Sequence, residues 1–225
     1  MKRKKSAVIV ATTAFVLLGT AALAAEIAVS SKIESRVQQQ LPGASGISAS
    51  VPLTDLLSIL NSDSIKEVKI DIADYTLKSN GRKSSLEISA KEISKSASTR
   101  IGSLDIKSTV AISQLLAESG FSDAEIVGNS LQISVGAGGL GKALIFPKYS
   151  NNQIYFQIKS VSIMGSPIPA SSLPADIQEQ IKSRTVKDLR VPAGLKVKSV
   201  SIGPKGLSVN FQGKNITLDS LALSL

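Results

Sequence analysis

The sequence predicts an α+β fold, a large antiparallel sheet accompanied by a few helices, of which one is long and N-terminal. Three observations predict it. Apolar residues four apart, Val29, Ile33, Val37 and Leu41, form one stripe through an otherwise polar segment that runs from Glu26 to Leu41, the signature of an amphipathic helix. From Val68 onward the apolar period falls to two, as in half-buried strands. Between the strand-like runs stand Asn-Gly, Gly-Asn and Asn-Asn pairs, which favour tight hairpins.

The first element is a leader. Lys2, Arg3, Lys4 and Lys5 precede an uncharged run of 20 residues, Ser6 to Ala25, with Ala22-Leu23-Ala24 near its end. A basic start, an apolar stretch and small residues at its close read as a secretory signal peptide. The run is also long enough to stay as an N-terminal membrane anchor. Either way residues 1–25 are set apart, and 26–225 are expected as a single domain outside the cytoplasm, the four basic residues remaining inside.

The helix of 26–41 is stopped by Pro42-Gly43. A second, short helix is expected at Pro52–Leu60, PLTDLLSIL. Strands follow around Val68-Ile70-Ile72, Leu86-Ile88-Ala90, Leu104-Ile106-Ser108-Val110-Ile112, Leu131-Ile133-Val135, Ile154-Phe156-Ile158, Leu207-Val209-Phe211 and Ile216-Leu218. Their expected turns are Asn80-Gly81, Gly128-Asn129, Asn151-Asn152 and Gly213-Lys214-Asn215. Two helical pieces interrupt them, Gln114–Glu118 and Leu173–Arg184, the second with Pro174 in its first turn and Ile177 and Ile181 on one face.

Composition excludes much chemistry. The chain has no His and no Cys, so Ser-His, Cys-His and His/Cys metal sites have no residues to work with, and no disulfide can form. Carboxylate pairs survive as a route to glycoside cleavage: Asp71 with Asp74, Glu87 with Glu92, Asp123 with Glu125. Their place in strands and turns reads more simply as solvated surface, and no enzymatic activity, metal or cofactor is expected.

The loudest motif is Gly136-Ala137-Gly138-Gly139-Leu140-Gly141, a literal G-x-G-x-x-G. A dinucleotide site needs a helix opening within that motif and an acid about 20 residues on. Here Lys142–Pro147 is β-prone, and no Asp or Glu occurs between Glu125 and Asp176. The expected structure is a loop between strands.

Beyond the leader, 22 basic residues face 17 acidic ones, a balance of +5. Nucleic acid is a poor partner, since aromatics for base stacking make up only 4% of the chain. Anionic lipid at a membrane surface suits an exported, mildly basic domain better. Lys182, Arg184, Lys187 and Arg190 cluster after Ile181 and are the expected contacts to lipid headgroups. Ile33, Val37, Leu56, Leu57, Leu60, Phe156, Ile177 and Ile181 either fill one ordinary core or line a groove for acyl chains.

The order of motifs resembles the LmeA-like phospholipid-binding proteins of actinobacterial envelopes. It is carried by Leu173-Pro174, by Pro192-Ala193-Gly194-Leu195, by Gly203-Pro204-Lys205-Gly206-Leu207 and by the glycine Gly213. Near the N-terminus Val51-Pro52-Leu53 with Leu56-Leu57 and then IKEVKIDI extend it. The resemblance implies a fold like the tubular lipid-binding (TULIP-like) domains, a curved antiparallel sheet wrapped around a long N-terminal helix and enclosing an apolar groove. It also implies phospholipid binding in support of envelope glycolipid (lipomannan-type) biosynthesis. A structural or adaptor domain that binds an envelope protein is the alternative.

Overall fold

A computed structural model describes residues 29–40, 43–52, 64–76, 83–94, 100–114, 123–136, 139–175, 177–179, 181, 187–189, 191 and 193–217. The leader, the expected helix beyond Pro52, the Asn80-Gly81 turn and most of Gln114–Glu118 lie outside these residues. Among the described residues no helix is long and apolar enough to cross a membrane.

One helix opens the described chain, α1 (Val29–Gln40). Twelve strands follow: β1 (Ala44–Ser50), β2 (Ser64–Thr76), β3 (Lys83–Ser94), β4 (Arg100–Val110), β5 (Glu125–Val127), β6 (Ser130–Val135), β7 (Gly141–Ser150), β8 (Gln153–Ile163), β9 (Ser166–Ile168), β10 (Lys187–Asp188), β11 (Leu195–Gly203) and β12 (Gly206–Thr217). They form two sheets. The first runs β1-β2-β3-β4-β12-β11, and the second runs β10-β8-β7-β6-β5 with β9 also on β8.

The expected α+β fold, a curved sheet wrapped around a long N-terminal helix, does not form. Strand makes up 69% and helix 14% of the described residues, so the protein is mostly β. The physical reason lies in lengths. A helix of 12 residues is about 18 Å long, whereas strands of 11–13 residues extend roughly 36–43 Å. The four-residue period of Val29, Ile33 and Val37 does form a helix, but Val29–Gln40 supplies too little length to act as an axis.

The chain divides into two compact units. One holds the described residues up to Ser108 with 190–198 and 210–217; the other holds 109–189 and 199–209. In the first, α1 buries Ile33 and Val37 completely and packs on β1. Its polar side works too. The Glu34 carboxylate accepts the Ala49 N–H at 3.0 Å, and the Gln38 amide donates to the Ala44 carbonyl at 3.1 Å. Because β1 is the outermost strand of its sheet, these two residues, one helical turn apart, satisfy backbone groups that an edge leaves open.

Both sheets keep one apolar face by inserting an extra residue where the sequence steps by three. Ile72 pairs with Leu86, but Tyr75 pairs with Ser84, so β2 bulges between Ile72 and Tyr75. Ile145 pairs with Ile158, then Leu144 with Ser160, leaving Lys159 unmatched on β8. Each bulge restores the phase, so that Tyr75 and Val161 stay buried beside apolar partners rather than flipping to the opposite face.

The turns follow backbone chemistry. Asn151 and Asn152 both take positive φ, 51° and 57°, the type I′ geometry that a two-residue hairpin favours, and Gly128 does so at the β5–β6 turn. Gly213-Lys214-Asn215, expected as a turn, instead lies within β12. Gly213 is there because a side chain would meet Leu195 and the Gly194 carbonyl, 2.7 and 2.9 Å from a Cβ. Gly206 is tighter still. Its φ is 131°, and a Cβ would run into the Val110 carbonyl.

Two substitutions check these points. Gly206→Ala is expected to cost about 1–3 kcal/mol of stability through strain and overlap, and Glu34→Ala about 1–3 kcal/mol by stripping a part-buried N–H of its charged acceptor. Urea denaturation of each variant measures both.

Candidate functional site

A cavity of about 530 Å³ opens along β8 in the unit that holds 109–189. Its origin is visible in the strand pairing. On the edge of β8 away from β7, β9 covers Val161 to Ile163 and β10 covers Gln153 and Ile154. Between these two short partners no described strand lies on that edge. The described residues of the chain that links them run from Pro169 through a 3-10 turn (Ala170–Ser172) into a helical segment. The cavity fills the gap.

The link is built locally. Pro174 suits the first helical position, having no N–H to leave unpaired. Its carbonyl accepts from the Ile177 and Gln178 N–H groups at 3.1 and 3.2 Å, and the Gln178 side chain donates to the Leu173 carbonyl at 2.9 Å. Leu173 and Ile181 are buried and anchor the link. Beyond it, Leu189 is buried and its N–H donates to the Asn152 carbonyl at 2.8 Å, fixing the return to β8.

The walls are Tyr155, Phe156 and Ile158 from β8, with Ala170, Ala175 and Ile181 facing them; Gln157, Ser171, Gln178 and Glu179 supply polar groups. Phe156 and Ile158 pair with Pro147 and Ile145, which puts them on the apolar face of the sheet. Both are nonetheless only half-buried. A volume within the range of about 300–1,000 Å³, mostly apolar with a few polar groups at hand, is that of a small-ligand or single-chain site.

Phe156 and Ile181 are therefore brought together, as sequence reading grouped them. Ile177 is half-buried on the same helical segment without reaching the cavity wall. Ile33 and Val37 are core residues of α1 in the other compact unit. Leu56, Leu57 and Leu60 lie outside the described residues, as do Lys182, Arg184 and Arg190. The backbone of Lys187 pairs with Ile154, one residue from the cavity wall at Tyr155. Sequence reading missed Tyr155, Ile158, Ala170 and Ala175. Ile158 was legible as a strand residue, but which strand edge lies open is a property of pairing.

The other sequence signals resolve plainly. The glycine-rich stretch joins antiparallel strands, with Val135 paired to Gly141 and Gly136 and Gly139 at φ 79° and 69°. A strand follows it where a phosphate site needs a helix. Asp71 and Glu87 face each other across β2 and β3, but on the exposed face, where Lys107 pairs with Glu87 at 2.8 Å. Asp74 and Glu92 are exposed, as are Asp123 and Glu125, and no set of three metal-binding side chains gathers among the described residues.

Asp123 has a partner of its own. The Ser134 hydroxyl donates to it and holds its carboxyl below the usual carboxylate range, against an opposing desolvation and aided by backbone N–H groups and the Lys142 charge. Lys142 in turn donates to the Ser134 oxygen at 3.1 Å. A depressed carboxyl contributes stability above its unfolded pKa and loses it as pH falls through the folded one. Ser134→Ala is expected to raise the Asp123 titration midpoint toward the ordinary value, read by NMR of the carboxyl carbon.

Comparison with known proteins supplies no relative, since no protein-family model, curated protein or solved structure matches this chain.

Proposed function

We propose that this chain is an extracytoplasmic phospholipid-binding protein, not an enzyme, which holds or transfers lipid at the outer face of the cytoplasmic membrane. The observation that carries the reading is the cavity beside β8, where the half-buried Phe156 and Ile158 face open space across from the buried Ile181. Leaving such residues apart forgoes packing that a purely structural domain would gain, roughly 1.5–3 kcal/mol for each large apolar side chain. An acyl segment entering the cavity recovers that term at about 0.8 kcal/mol per CH₂. The basic residues Lys182, Arg184, Lys187 and Arg190, close together in the sequence, suit an anionic headgroup. The resemblance to LmeA-like proteins points the same way and extends the role to envelope glycolipid biosynthesis of the lipomannan type.

A second reading has its own observation. The stretch of β8 left without a described strand partner between β9 and β10 is an edge to which an extended segment of an envelope protein would add as a strand. That is the adaptor role.

Lipid extraction with mass spectrometry separates the two. Protein purified without detergent is expected to carry phospholipid in stoichiometric amount, and Ala175→Trp, which places an indole in the cavity from an exposed position, is expected to lose most of it while keeping its fold. A folded, lipid-free wild type would remove the lipid reading and leave the adaptor.

A further inference from the structure

Three large apolar side chains stand exposed together at one end of the second sheet. Leu140 is 64% exposed in the β6–β7 loop, Ile163 is 45% exposed at the end of β8, and Met164 is 82% exposed in the turn that follows. Backbone contacts bind the two turns side by side. Gly141 pairs with Ile163, and the Met164 N–H donates to the Leu140 carbonyl at 3.3 Å. The apolar residues thus form one tip on a braced support, not scattered surface positions.

Folding does not account for them. Met164 sits at φ 49° with Gly165 at φ 84°, a turn for which Asn-Gly is the ordinary choice. A methionine there is disfavoured by its backbone and buries little. Large exposed apolar groups that cluster mark a surface awaiting an apolar partner.

Charge says which partner. Between Glu125 and Asp176 there is no acidic residue, and Lys142, Lys148 and Lys159 are the only charged ones. The hairpins that carry the tip, β6 to β9, are therefore purely cationic. The Asp123 carboxylate, which comes up against β6 and β7, is engaged by Ser134 and feels the Lys142 charge. An apolar point on a positive stem complements an anionic bilayer, whose interface accepts Leu, Ile and Met while its headgroups attract lysine.

We propose that Leu140, Ile163 and Met164 enter the interfacial region of an anionic membrane and dock this unit on it. The proposal extends the lipid-binding reading but stands on different residues. The chain has no tryptophan, so Met164→Trp, and independently Leu140→Trp, introduces a sole indole at the tip. Ser150→Trp, at the opposite end of the β7–β8 hairpin, is the reference. The full chain is reconstituted with vesicles of equimolar phosphatidylcholine and phosphatidylglycerol that carry brominated acyl chains. The expected result is a blue shift and strong quenching for both tip indoles, with little of either for the reference. Tip emission that stays unquenched and solvent-like, or equal quenching at all three positions, overturns the proposal. So does a blue shift without vesicles that grows with protein concentration, which would assign the tip to a second copy of the chain. Lipid retained in the cavity is measured separately with Ala175→Trp: its failure with the tip still quenched refutes the cavity and not the tip, and the converse refutes the tip alone.

Discussion

Much of this protein depends on keeping an apolar residue in phase. A strand turns successive side chains to opposite faces, so a single step of three in the apolar pattern would carry everything beyond it into water. In β8 that step falls between Ile158 and Val161, and the bulge at Lys159 absorbs it. Val161 then pairs with Ala143 on the same face as the Ile158–Ile145 pair, and Ile163 follows in the same phase. The wall of the cavity and one residue of the exposed tip thus share a face because of one unmatched lysine. The same device in β2 holds Tyr75 in the core of the other sheet.

A β protein without disulfides must also deal with its edges. Here two solutions coexist. β1 is closed by α1, whose Glu34 and Gln38 take up edge backbone groups while Ile33 and Val37 supply burial. Among the described residues β8 is covered only in part on its edge away from β7, by the two short strands β9 and β10. An edge without a strand partner leaves backbone donors and acceptors to be satisfied in some other way.

The carboxylates illustrate how pairing decides chemistry. Asp71 and Glu87 are opposite each other, which by separation alone suits acid–base work. They are exposed, and Lys107 is in contact with Glu87. Catalysis by paired acids relies on a shielded site where one proton is held against the other charge, and an open sheet face surrounded by water does not supply it. The glycine-rich stretch shows the same dependence on context: with β-prone residues after it, a literal G-x-G-x-x-G is expected as a loop between strands, and it joins β6 and β7.

Local pattern by itself determined the β character of most segments, the helix around Ile33 and Val37, the Gly128-Asn129 and Asn151-Asn152 turns and the helical link begun by Pro174. Those features rest on interactions within a few residues, so they are written in periodicity and turn chemistry. The spacing of three at Ile72–Tyr75 and Ile158–Val161 was also present in the sequence and marks the bulges. Tertiary structure alone decided the balance of fold class, the fate of Gly213 inside a strand, the open edge of β8 and the meeting of Leu140 with Met164. Each of these depends on which distant strands become neighbours, and alternation states that a face is apolar without stating what will cover it.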